Sequence, residues 1–121
     1  MTDALAIPAS DGEALDGRIK AHYQRSGRLQ TVHLDLLYAC DLDCHHCYLD
    51  DKKRPQVSTA AIVAVLEQAA DLGALQVLFS GGEIFLRKDL YAILEAARRL
   101  RFHIRLKTHG GNVTAKDAAR L

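Results

Sequence analysis

"TVHLDLLYACDLDCHHC", residues 31–47, decides how the rest of the chain is read. Its first half alternates: Val32, Leu34, Leu36 and Tyr38 fall on one side and His33 and Asp35 on the other. That is the period-2 pattern of a strand with one buried face. Its second half holds all three cysteines of the chain, Cys40, Cys44 and Cys47. A strand over 31–39 therefore runs straight into a polar, thiol-bearing loop that lasts to Pro55.

Downstream the same order repeats twice. "STAAIVAVLEQAADLG" (58–73) places Ile62, Leu66 and Ala69/Ala70 on one helical face, with Ser58 or Thr59 as N-cap and Gly73 as the stop. "ALQVLF" (74–79) is a short apolar run of the kind found in buried parallel strands, and it ends in "SGGE". "DLYAILEAARRLR" (89–101) has Asp89 as cap and an apolar stripe of Leu90, Ile93/Leu94, Ala97 and Leu100. "FHIRLK" (102–107) is a third strand ending in "THGGN", and Thr114 to Asp117 has the spacing of a capping box that opens a last helix. The fold class is α/β, a parallel (βα)n sheet with short connections. In such sheets the loops after the strands gather at one end, where sites are built. The cysteine loop, "SGGE" and "THGGN" are therefore expected on one rim.

Upstream the pattern weakens. Residues 1–30 read as a leader, partly disordered or holding a short helix that Gly17 and Gly27 weaken; residues 31–121 read as three βα units. The start has Asp3 and no basic region before an apolar stretch, so no signal peptide is expected, and no apolar run approaches the roughly 20 residues that span a bilayer. A composition of 49% hydrophobic and 26% charged residues is that of a globular domain, and a formal charge of +1 gives no reason to expect nucleic acid or an anionic membrane as partner. A cytoplasmic location is expected. There, three clustered thiols read as metal-binding or reactive rather than as a disulfide framework.

Four thiolates complete an iron–sulfur cluster or a structural zinc, whereas three leave one position open for a ligand. Two readings stand on the residues themselves. One is a metal centre with a vacant site. The other is a small Cys3His zinc-binding module without catalysis, its nitrogen coming from His45, His46 or the distant His109.

The spacing Cys40-x3-Cys44-x2-Cys47 at the end of a first strand resembles that of radical S-adenosylmethionine (radical SAM) enzymes. The resemblance implies that these three cysteines hold a [4Fe–4S] cluster whose fourth iron is chelated by S-adenosyl-L-methionine. It also implies reductive cleavage of that cosubstrate to a 5′-deoxyadenosyl radical, and it places His46, before the last cysteine, near the adenine. "SGGE" resembles the family's Gly-Gly-Glu motif, which assigns Gly81, Gly82 and Glu83 to the ammonium group of the cosubstrate. Paired glycines let a ligand approach the backbone, and a carboxylate can accept a charge-assisted hydrogen bond from an amine. Two departures stand out: Ile84 where many relatives have proline, and Thr108-His109-Gly110 where many have Thr-Asn-Gly.

The texture of the two motifs is most similar to the branch with SPASM-type extensions, which implies a peptide or cofactor precursor as substrate and an electron donor such as flavodoxin or ferredoxin. The family core is a partial TIM barrel of about six βα units, and this chain resembles the first half of it. The chain is therefore expected to be a truncated or split polypeptide, with turnover only where a second chain completes the barrel, and no catalytic residue is assigned. On the third strand His103, Arg105 and Lys107 share a polar face, which reads either as barrel interior or as a solvated edge.

Overall fold

The computed structural model describes residues 9–47 and 53–121, with side chains from residue 14 onward in the first stretch. Helix α1 (Ala9–Ser26) precedes three repeated units: β1 (Thr31–Asp35), α2 (Thr59–Asp71), β2 (Gln76–Ser80), α3 (Leu90–Arg99), β3 (His103–Leu106) and α4 (Ala115–Arg120). A single turn of 3-10 helix, Ile84–Leu86, lies between β2 and α3. The three strands form one parallel sheet in the order β1-β2-β3. Thr31 pairs with Gln76 and Gln76 with His103, so all three strands start level, and β3 ends one residue before the others, opposite Phe79.

One face of this sheet is the core. Val77 and Phe79 are fully buried on β2, flanked by Val32 and Leu34 on β1 and by Ile104 and Leu106 on β3. Ile62, Leu66 and Ala69 of α2 cover that face together with Leu90, Ile93 and Ala97 of α3, and the two helices pack against each other. These are the stripes expected from the 3.6-residue period. The other face carries His33 and Asp35 on β1 and His103 and Arg105 on β3, with the histidines and the arginine exposed.

Several boundaries and caps differ from expectation. The first strand ends at Asp35 rather than running to residue 39, because Leu36 and Leu37 are both buried and the alternation breaks there. Ser58 caps α2 by accepting from the Ala61 amide at 3.2 Å, which leaves the Thr59 hydroxyl free for another partner. Asp89 holds the cap position of α3 but makes no capping hydrogen bond, because its carboxylate is engaged by Arg87 and Thr59. The capping box of Thr114 and Asp117 is present in full. Helix α1 passes through Gly17, lies inside the stretch read as leader, and is tied to the turn between α2 and β2 by the Tyr23 hydroxyl, which donates to the Gly73 carbonyl at 2.8 Å. Residues 1–8 of that leader lie outside the described residues. No helix among the described residues is long and apolar enough to cross a membrane.

Candidate functional site

Beyond its last paired residues the sheet continues as loop against loop. The Leu36 amide donates to Ser80 at 2.9 Å, the Gly82 amide to Leu37 at 2.9 Å and the Glu83 amide to Ala39 at 2.8 Å. Residues 36–39, which lead into the cysteines, thus run beside residues 80–83. This close approach explains the glycine pair. A Cβ on Gly81, at φ +134°, would stand 2.2 Å from the Leu37 carbonyl oxygen, and one on Gly82 would stand 2.0 Å from that of Ala39. Glycine is required at both positions by the chain's own backbone, whereas the sequence suggested only the approach of a ligand.

Glu83 is fully buried, and every described contact of its carboxylate is internal. Oε1 accepts from the Phe85 amide at 3.2 Å and from the Thr108 hydroxyl; Oε2 accepts from the His109 amide at 3.1 Å. The second rim loop therefore holds the third. His109 in turn holds the first. Its Nδ1 accepts from the Gly111 amide at 2.9 Å, which requires the lone pair there and puts the ring proton on Nε2. Nε2–H then points at Asp41 Oδ1, 2.7 Å away, with Glu83 Oε2 at 3.1 Å. The Asn112 amide donates to the other Asp41 oxygen at 3.0 Å. Asn112 first and His109 second hold the Asp41 carboxyl below its ordinary range. One imidazole thus sits between a carboxylate of the first loop and a carboxylate of the second.

This network bears on the zinc reading. Cys40, Asp41 and His109 form, among the described residues, the one set of three potential ligands with donor atoms within 4.8 Å of one another. A metal taking His109 would have to displace either Asp41 from Nε2 or the Gly111 amide from Nδ1. His45 and His46 are exposed. The chain's own hydrogen bonds therefore compete with a Cys3His site on His109.

The rim borders an open cavity of about 480 Å³, the size that takes a small-molecule cofactor. Cys40, Cys44, Cys47, His46, Gly81 and Gly82 all line it, so the three loops converge as the fold class predicted. Glu83 is not among the lining residues and lies buried behind its two glycines. Lys107 and Thr108 bring the third loop to the same wall. The cysteines are free thiols, Cys44 exposed and the other two half-buried, and the Leu42 amide donates to Cys40 Sγ at 3.4 Å. A set of soft thiol ligands with an amide aimed at one sulfur, beside open space, suits an iron–sulfur cluster with room for a further ligand.

Two further residues complete the rim: Arg87, which carried no sequence signal, and Asp89, whose signal was that of a helix cap. Buried Arg87 and half-buried Asp89 form a pair, with Arg87 Nε donating to Asp89 Oδ1 at 2.5 Å. Arg87 first and Thr59 second hold the Asp89 carboxyl below its ordinary value, against the opposing effect of burial.

Residues 35–121 match the sequence model of the Radical SAM superfamily. The PqqA peptide cyclase of Gluconobacter oxydans (strain 621H) is 44% identical over 79 residues, covering 63% of this chain and 22% of that protein. The PqqA peptide cyclase of Xanthomonas euvesicatoria pv. vesicatoria (strain 85-10) is 41% identical over 83 residues, 66% of this chain and again 22% of the relative. The chain thus spans about a fifth of the length of the curated relatives it matches. Streptococcus suis SuiB, solved bound to its precursor peptide SuiA, superposes with a TM-score of 0.69 at 23% identity, over 88% of this chain and 26% of that one. At that identity the likeness is one of fold.

Proposed function

The chain belongs to the radical SAM superfamily, and on that premise we propose that it forms the cluster-bearing part of a radical SAM enzyme acting on a peptide precursor. Cys40, Cys44 and Cys47 are the residues that would hold a [4Fe–4S] cluster, leaving one iron for S-adenosyl-L-methionine. Held there, such a cluster would supply the electron for reductive cleavage of the cosubstrate to a 5′-deoxyadenosyl radical. The observation that carries this reading is the shared cavity, in which the three thiols face Gly81 and Gly82 across about 480 Å³.

The chain's own residues divide the work of binding. Gly81 and Gly82 line the cavity and offer backbone to the cosubstrate's ammonium group, while the Glu83 carboxylate lies behind them and fixes the third loop. His46 lines the same cavity, which supports a role for it beside the adenine. Lys107, on the wall formed by the third loop, is available to an anionic group. The peptide substrate is supported by the PqqA peptide cyclases among the relatives and by the bound precursor peptide of SuiB. An external electron donor such as flavodoxin or ferredoxin follows from the chemistry, a cytoplasmic location from the need for reduced thiols, and completion of the barrel by further chain or a second chain from the partial coverage of the relatives.

Metal content tests this reading. After anaerobic incubation with iron and sulfide, the chain is expected to hold iron and acid-labile sulfide in near-equal amounts, and Cys44→Ala is expected to hold neither. One tightly bound zinc in place of iron would transfer the chain to the Cys3His class.

A further inference from the structure

Arg87, like Glu83, lies outside the cavity wall with its side chain wholly removed from solvent. Its planar fork is fully directed. Nη1 donates to the Leu36 carbonyl at 2.6 Å and Nη2 to the Val57 carbonyl at 2.6 Å. Nε and Nη2 also grip the Asp89 carboxylate, at 2.5 and 3.1 Å. Asp89 is steadied in turn by the hydroxyl of Thr59, the first residue of α2. Leu36 and Val57 are the two feet of the segment that carries Cys40, Cys44 and Cys47. One guanidinium therefore joins the place where the cysteine loop leaves the sheet to the place where it enters the next helix.

We propose that Arg87 is the positioning residue of the cluster loop, setting the separation of its feet and thereby the placement of the three thiols. A buried ion pair is a poor way to add stability, since well-packed apolar side chains of similar volume serve as well or better. What it supplies is direction: four of the five N–H groups in a rigid plane reach two carbonyls and a carboxylate at once, which the single ammonium of lysine cannot. The Asp41–His109 contact holds the loop near its first cysteine, and the Arg87 clamp holds it from below. The proposal rests on the cluster assignment for its metal readout, but its effect on the loop does not depend on that assignment.

The test compares the full chain with Arg87→Lys and Arg87→Met by hydrogen exchange, and by iron and sulfide content after anaerobic reconstitution. In Arg87→Lys, amides of residues 36–47 and 53–57 are expected to exchange about tenfold faster or more, while those of β2 and α3 keep their protection. Bound iron is expected to fall several-fold in the same variant. Arg87→Met is expected to exceed both effects, and if it fails to fold, the lysine variant alone decides. Wild-type loop exchange and wild-type iron in folded Arg87→Lys would overturn the proposal. So would an equal loss of protection across loop, β2 and α3, the mark of a merely structural role. If the unmodified chain takes up no iron while Arg87→Lys still frees the loop, the cluster assignment fails and the clamp stands.

Discussion

The body of the sheet and its rim are built from opposite materials. On the helix-covered face Phe79, Val77, Leu66 and Ile93 are fully buried and held by apolar contact. Beyond the end of β2, burial is just as complete at Glu83 and nearly so at Arg87, but both are charged-type side chains satisfied by directional bonds. Apolar packing is non-directional and tolerates repacking, whereas a hydrogen-bonded rim specifies where each loop lies. The body answers for whether the chain folds, and the rim answers for where the thiols are.

Substitutions in each region should separate the two roles. The largest effect belongs to the body: Phe79→Ala is expected to lower global stability by about 3–5 kcal/mol, read by urea denaturation. Whatever fraction remains folded should load iron as well as the parent does. A selective loss of iron in that folded fraction would erase the distinction between the regions.

Gly82→Ala comes next. Its Cβ must displace the Ala39 carbonyl or its own loop, for an expected cost of about 1–3 kcal/mol. Here the loss of iron should exceed what the loss of stability explains. Equal iron content in folded Gly82→Ala would show that the two loops can part without disturbing the thiols.

Much of this architecture was open to reading in advance. The strand-helix alternation was legible because each element carries its own period, and the convergence of three loops followed from parallel topology alone. The same logic failed where the partner is a backbone atom. Arg87 binds carbonyls 51 and 30 residues away, and a carbonyl oxygen has the same chemistry in every residue, so nothing at Leu36 or Val57 announced the contact. Asp89 read as a helix cap because its position fits one, and a competing guanidinium two residues earlier took its carboxylate. The glycines were legible as a close approach, but what approaches was not, since residues 37–39 meet them only once both strands have ended. His109 stood out as a departure from the family pattern; its clasp between Asp41 and Glu83 required the geometry of all three loops.

His109→Ala should produce a smaller and more local change. It removes the donor to Asp41 and one contact of Glu83, but leaves the Thr108 hydroxyl and the residue-109 amide on that carboxylate. Hydrogen exchange should quicken in residues 40–47 and 108–112 and stay unchanged in α2 and α3. Quickening throughout the chain would mean that the rim and the body are one cooperative unit.

Acid supplies the mildest perturbation. The Asp89 carboxyl is held below its ordinary value of 3.8 in the folded chain, so its contribution is complete above that value and is lost as pH falls through the depressed one. Urea midpoints of the parent and of Asp89→Asn should therefore differ by a constant amount from neutral pH down to about 5 and converge below about 4. Convergence already near pH 6 would assign the effect to another group.

The most direct measurement of the central claim is electron paramagnetic resonance of the anaerobically reconstituted, reduced chain, recorded with and without S-adenosyl-L-methionine. A [4Fe–4S]⁺ signal whose shape changes when the cosubstrate is added is the predicted result, since three thiols leave one iron open to it. A cluster signal indifferent to S-adenosyl-L-methionine, or no cluster at all on the three cysteines, would contradict the account.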